Sequence, residues 1–307
     1  MDVGEVREIT RGACRDLAMI ETGMFDVTGY GAIYVIDAER PAIVETGIGT
    51  TSEHLLAAIE GHGIDPDDVA AICTTHVHLD HAGGAGHFAA ACENATVFVH
   101  EIGAPHLVEP ADLIAGTKRA VGDQWRHYVE PEPVPEDRVE ALTDGDRVDL
   151  GDHELVARHA PGHAPHQVIF HVPTMDAVFT GDAAGLWIPS LGRVHQSSPP
   201  PNFRLDQAVA DLDAIADCTP KTLLYTHFGP RAFEGSLLDR YERILAEWVR
   251  DVDAARSALG DDDAVVERFV DRTGLDRVWG AEKAAAETEI NVRGVLHYLD
   301  HIRTQEE

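Results

Sequence analysis

The run Thr75-His76-Val77-His78-Leu79-Asp80-His81 places four metal-ligand side chains within six residues, in the pattern His-x-His-x-Asp-His. Imidazole and carboxylate donors suit zinc, manganese or iron. The preceding Val69-Ala70-Ala71-Ile72-Cys73-Thr74 is a short apolar run of buried-strand type. The following Ala82-Gly83-Gly84-Ala85-Gly86 is too glycine-rich to continue a strand or a helix, so the four ligands are expected on a turn after a strand. In an extended segment residues two apart face the same way. His76 and His78 can therefore address one centre while Asp80 and His81 turn toward another.

Three further segments repeat this arrangement. His163 follows Glu154-Leu155-Val156-Ala157-Arg158 through Ala160-Pro161-Gly162, Asp182 follows Ala177-Val178-Phe179 through Thr180-Gly181, and His227 follows Thr222-Leu223-Leu224-Tyr225. Ligands in layered α/β proteins gather at one end of the strands, so four strand ends carrying seven ligand-type residues point to one metal cluster.

With these residues in place, the chain resembles the metallo-β-lactamase fold superfamily from about Tyr30 to Pro230. The resemblance implies that His76, His78 and His163 hold one metal, that Asp80, His81 and His227 hold a second, and that Asp182 bridges both. The two divalent ions would be zinc by default, with iron or manganese as alternatives. They would activate a water for attack on an ester, thioester, lactone or phosphodiester. Asp80 or Asp182, the expected catalytic carboxylates, would shuttle the proton. Where the superfamily has Asp-Thr-Gly, this chain reads Glu45-Thr46-Gly47, which alters the geometry behind the ligands. Asp182 argues against antibiotic hydrolysis, and His78 against the oxygen-reducing flavodiiron branch, which carries Glu there. Glyoxalase II-like thioesterases, lactonases and phosphodiesterases stay compatible. The alternative outside hydrolysis is a mononuclear iron persulfide dioxygenase; a nuclease or a non-catalytic binding protein ranks lower. The motifs and the insert between them also look like a group of archaeal hydrolases of unassigned substrate.

The elements that must position these residues follow from pattern. Ala32–Ile36 and Pro41–Val44 read as paired strands, and Ser52 reads as the cap of a helix over His54–Glu60. Strands are expected at 95–99 and 139–142, on either side of an insert at about 101–137 whose 111–128 portion is helical. Helices are expected at 205–216, 237–259, 264–273 and 281–302. The fold expected is α/β, an αββα sandwich, with a catalytic domain over 1–235 and a C-terminal helical extension over 236–307.

Composition bounds the setting. Asp and Glu number 54 against 24 Lys and Arg, a net charge of −30, and the only lysines are Lys118, Lys221 and Lys283. Such a surface suits concentrated salt, which screens self-repulsion, and a halophilic source is expected. No basic cluster offers a footprint for nucleic acid. Cys14, Cys73, Cys92 and Cys218 lie far apart and read as buried thiols of a reducing compartment. With no signal-peptide pattern and no long apolar run, the protein is expected to be cytoplasmic, without a membrane partner. Its partner is a small-molecule substrate, and a homodimer stays open. His166, Trp187 and His195 are candidates for the substrate pocket. His54, His62, His87, His153 and His297 read as surface residues, Tyr225 as core, and Asp261-Asp262-Asp263 as a solvated helix start.

Overall fold

The computed structural model describes residues 1–270 and 273–306. Two sheets face one another. The first runs β1 (Val6–Glu8), β2 (Leu17–Glu21), β3 (Ala32–Ile36), β4 (Ala42–Val44), β5 (Ala71–Cys73), β6 (Thr96–His100) and β7 (Val139–Leu142), in sequence order. The second contains β8 (Arg147–Asp149), β9 (Glu154–His159), β10 (Val168–Val172), β11 (Ala177–Gly181), β14 (Thr222–Tyr225) and β15 (Gly229–Ala232), in the spatial order β15-β14-β11-β10-β9-β8. A separate hairpin pairs β12 (Leu186–Ile188) with β13 (Arg193–His195).

The layers follow from which side chains each sheet turns inward. Met19, Tyr34, Phe170, Phe179 and Leu224 fill the space between the sheets. Outside the first sheet, Ile33, Ile43 and Ile72 pack against Leu55 and Ile59 of α1 (Ser52–Gly61) and Phe88 of α3 (Ala85–Ala91). Outside the second, Ile169, Val178 and Leu223 join Leu212 of α6 (Leu205–Asp217), Tyr241 and Leu245 of α7 (Ser236–Leu259), Val265 of α8 (Asp262–Val270) and Val292 of α9 (Asp276–Glu306). This is the αββα sandwich, and the C-terminal helices share one apolar cluster with its second sheet. All four cysteines are buried and free. Among the described residues, no helix is long and apolar enough to cross a membrane.

Several local expectations are corrected. The glycine-rich run holds two short helices, α2 (Leu79–Ala82) and the start of α3, so Asp80 and His81 lie in a helical turn. Its glycines serve close approach rather than a stop. A Cβ on Gly84 would lie 2.6 Å from the Thr46 carbonyl oxygen, and one on Gly86 would lie 2.1 Å from that of Glu132. Ser52 is the first residue of α1 and caps nothing; its buried hydroxyl has no partner. The insert helix splits after Val121 into α5 (Ala111–Val121) and a 3₁₀ segment, following α4 (Ala104–Val108). The break falls at Gly122, which has a φ of +53°. Residues 271 and 272 of the expected 264–273 helix lie outside the described residues. His54, His62, His87 and His153 are half-buried rather than surface residues; His54 Nε2, for example, lies 2.9 Å from the Thr22 carbonyl oxygen.

Candidate metal centre

Strand polarity brings the ligand-type residues together. β9 is antiparallel to β10, β10 to β11, and β11 runs parallel to β14. The C-terminal ends of β9, β11 and β14 therefore share one edge of the second sheet, where His163, Asp182 and His227 follow. β5 delivers His76 and His78 from the first sheet. The Thr46 amide and hydroxyl both donate to the His81 carbonyl, at 2.8 and 3.0 Å, and hold α2 against the loop after β4. Gly181, with φ +48°, places Asp182; a Cβ there would stand 2.7 Å from Thr75 Oγ1.

Two groups of ligand atoms result. His78 Nδ1 lies 3.0 Å from His76 Nε2 and 3.1 Å from His163 Nε2. His227 Nε2 lies 3.2 Å from His81 Nε2 and 3.6 Å from Asp80 Oδ2. Asp182 stands between them. Its Oδ2 is 3.6 Å from His163 Nε2, and its Oδ1 is 3.4 Å from His81 Nε2 and 3.7 Å from His227 Nε2. The Ser197 hydroxyl donates to Asp182 Oδ2 at 2.9 Å and lies 3.1 Å from His163 Nδ1. Asp182 Oδ1 is buried with no hydrogen-bond partner.

Several of these ligands are oriented from behind. His227 Nδ1 meets the Tyr30 carbonyl oxygen at 2.8 Å, and His76 Nδ1 meets Thr75 Oγ1 at 3.0 Å. Glu45, 1% exposed and at φ +69°, is the common support. Its Oε1 accepts from Thr75 Oγ1 (2.6 Å), Thr226 Oγ1 (3.0 Å) and His81 Nδ1 (3.0 Å), and its Oε2 accepts from the Thr75 amide (3.2 Å). The extra methylene thus lets one carboxylate reach β5, α2 and the loop after β14 together.

The electrostatics divide along the same line. Burial, helped by neighbouring imidazoles, holds His76 and His163 well below the usual histidine range, and burial takes His78 down to about 4. These three are neutral at pH 7, the form that binds a metal. Burial also opposes charge on His81, but Glu45, Asp182 and Asp80 outweigh it and raise His81 to about 10. Burial would raise Asp80 as well, yet His81 and His227 pull it far below the ordinary carboxylate range. A positive charge is therefore strongly held where Asp80, His81 and His227 meet. Neutral donors on one side, carboxylates on the other and an orphaned carboxylate oxygen between them fit a pair of divalent cations.

A cavity of about 440 Å³ opens onto this cluster. His166 lines it, with its ring stacked 6.1 Å from that of His76. Trp187 and His195 are not among the residues that line it. Trp187 turns instead to the second-sheet core and carries the Arg231 guanidinium 3.9 Å from its ring, while its amide donates to the His227 carbonyl. His195 is 8% exposed on β13, and burial lowers it to about 4. In the β12–β13 pairing His195 lies opposite Leu186, which lines the cavity, and Trp187 lies opposite Val194, so the two side chains turn to opposite faces of the hairpin. The far wall comes from distant segments: Leu113 and Arg119 of α5, and Lys283, Glu287 and Asn291 of α9. The Lys283 ammonium lies 2.9 Å from Glu287 Oε2 and 4.0 Å from the Tyr30 ring, and Tyr30 Oη donates to Glu287 at 3.1 Å. His297, exposed on α9, also borders the cavity. No local pattern marks these wall residues in the sequence.

Residues 27–227 match the family described as the Metallo-beta-lactamase superfamily. The acyl-coenzyme A thioesterase MBLAC2 of Gallus gallus is 32% identical over 161 residues, covering 47% of this chain and 54% of that protein. The hydroxyacylglutathione hydrolase of Maricaulis maris is 29% identical, covering 43% of this chain and 39% of that protein. The matched region thus spans about half the length of the chicken relative, and less of the bacterial one. Among solved structures, an archaeal metallo-beta-lactamase superfamily protein from Sulfolobus tokodaii superposes with a TM-score of 0.67 at 22% identity, covering 92% of this chain and 99% of that one. This likeness shows the shared fold.

Proposed function

This chain belongs to the metallo-beta-lactamase superfamily, and we propose that it is a hydrolase that uses a dinuclear metal site to cleave thioesters or related esters and lactones. The observation that carries this reading is Asp182, with Oδ2 toward the His76–His78–His163 group and Oδ1 toward His81 and His227. In this assignment His76, His78 and His163 hold one ion, Asp80, His81 and His227 hold the other, and Asp182 spans the two. When bound, two such ions supply Lewis acidity and lower the pKa of a shared water toward about 7.

The chain's own residues do the rest. Glu45, Tyr30 and Thr75 fix the rings of His81, His227 and His76 through their second nitrogens, so little reorganisation accompanies reaction. Ser197 holds Asp182 and His163 in register. Asp80 is the site carboxylate most open to the cavity, its side chain 22% exposed, and is placed to accept the proton of the attacking water. Among the described residues, no further acid stands out at the metal cluster to protonate a leaving group. That suits departure of a thiolate, which leaves without a proton, better than departure of an alkoxide. The cavity wall mixes Leu113, Leu186 and Ile290 with Lys283, Arg119 and Asn291, a lining for a substrate with an apolar part and a polar or anionic part. The names of the relatives, an acyl-coenzyme A thioesterase and a hydroxyacylglutathione hydrolase, support that class. We assign residues 1–235 to the catalytic unit and 236–307 to a helical extension whose α9 closes the cavity.

Metal analysis and a hydrolysis panel in molar salt test this. Two ions per chain, with turnover of acyl-coenzyme A or acylglutathione thioesters above that of phosphodiesters, is the expected result. One iron per chain, with oxygen uptake on a persulfide, would replace it with the dioxygenase reading.

A further inference from the structure

The strands that deliver the metal centre begin at the opposite edge of the sandwich. There, Asp16 occupies the turn before β2, Asp152 and His153 form the turn between β8 and β9, and Thr174 follows β10. β9, six residues long, separates this edge from the metal centre by about 20 Å of strand.

The ligand atoms of Asp16, Asp152 and His153 all lie within 4.8 Å of one another. His153 Nε2 is 3.7 Å from Asp16 Oδ2 and 3.9 Å from Asp152 Oδ2. These separations are too long for hydrogen bonds. They approach the roughly 3.4–3.6 Å expected between two donors that each bind one ion at about 2.1 Å. The His153 side chain is only 10% exposed, and its Nε2 is buried with no hydrogen-bond partner. Its other nitrogen, Nδ1, is engaged by Thr174 Oγ1 at 2.6 Å. That contact fixes the ring so that Nε2 points between the two carboxylates. Asp152 is held in turn, its Oδ1 accepting the Glu39 amide at 3.0 Å, which leaves Oδ2 facing His153. An imidazole nitrogen aimed between two carboxylates, with its distal nitrogen anchored by the protein, is how a histidine ligand is presented to a metal.

We propose that Asp16, Asp152 and His153 form a separate surface site for a zinc-class divalent ion, distinct from the hydrolytic centre. Imidazole as the least exposed donor selects transition ions over calcium or magnesium. The two half-exposed carboxylates supply the charge, and water completes the shell. The ion bridges the β1–β2 turn of the first sheet to the β8–β9 turn of the second. It acts as a clasp across the edge where the sandwich has no metal centre of its own. The assignment does not rest on the reaction proposed above.

Zinc alone is the probe, applied to the full chain. Equilibrium dialysis at about micromolar free zinc compares wild type with Asp16→Asn, His153→Gln and Asp182→Ala. Wild type should hold one zinc per chain more than either Asp16→Asn or His153→Gln, while thioester turnover of those two stays at the wild-type level. Asp182→Ala should keep the clasp ion, which separates failure here from failure of the hydrolytic assignment. Zinc should also raise the melting temperature of wild type more than that of Asp16→Asn, an exposed change that leaves the fold intact. Equal zinc content in wild type, Asp16→Asn and His153→Gln would overturn the proposal. So would an ion lost in Asp16→Asn but kept in His153→Gln, which would mark a counterion on exposed carboxylates.

Discussion

Glu45→Gln is the most informative single change, because it removes one charge and almost no volume from the support of the metal centre. The carboxylate accepts four hydrogen bonds, all from donors: the Thr75 amide and hydroxyl, Thr226 Oγ1 and His81 Nδ1. A glutamine oxygen can replace Oε1 and keep three of them. Its NH₂ group then faces the Thr75 amide, so a buried donor loses its acceptor, at a cost of about 2–4 kcal/mol with the charge-assisted bond included. His81 also loses the largest of the charges that favour its binding a cation. Second-sphere changes of this kind weaken metal binding or activity by about 10–100-fold. Chelator competition with a zinc indicator and thermal unfolding of the same preparations measure the two effects. Glu45→Asp, which keeps the charge but shortens the reach, should recover part of the zinc affinity. A glutamine variant that is less stable yet binds zinc as tightly as wild type would refute the reasoning, because Glu45 would then be a structural bridge and nothing more.

Asp182→Ala should lose at least one metal and most activity while retaining its circular dichroism; full metal content by elemental analysis would exclude the bridging role. Asp211 is 4% exposed, and burial raises its carboxyl to about 7 despite the Gly162 amide donating to it at 2.7 Å. A raised carboxyl binds its proton in the folded state, so its contribution is full below about pH 4 and is lost as pH rises to about 7. Asp211→Asn should therefore gain on wild type by about 2–4 kcal/mol between pH 5 and 8 in denaturant titrations, and parallel pH profiles would contradict this. With 54 acidic residues against 24 basic ones, the melting temperature of metal-saturated protein should climb from dilute to molar KCl, as the Debye length shrinks from about 30 Å to about 3 Å; a flat curve would remove the halophilic reading.

What could be read in advance divides by range of interaction. The His76–His81 run and the three later strand-end residues were legible because each motif is local, and sheet polarity brings their strand ends to shared edges. The C-terminal helices were legible from periodicity. The helical turn at Leu79 was not, since glycines that read as breakers, Gly84 and Gly86, instead allow close backbone contacts with Thr46 and Glu132. Loop composition groups Trp187 with His195, but β12–β13 pairing sends them to opposite faces, Trp187 toward the second-sheet core and His195 to the face of Leu186. The deepest gap concerns Lys283. The sequence shows it only as one of three lysines, which looks like a matter of solvent and surface. All three are paired in the fold: Lys118 with Glu130, Lys221 with Asp176, and Lys283 with Glu287. The first two pairs are largely exposed and carry little energy. Only the third is buried, at 10% exposure on both sides, against Tyr30 and beside the site. A chain that so rarely uses lysine places one where water is scarce and an ion pair must be well satisfied to persist. That choice becomes visible only when residues 30, 283 and 287 are brought together in space.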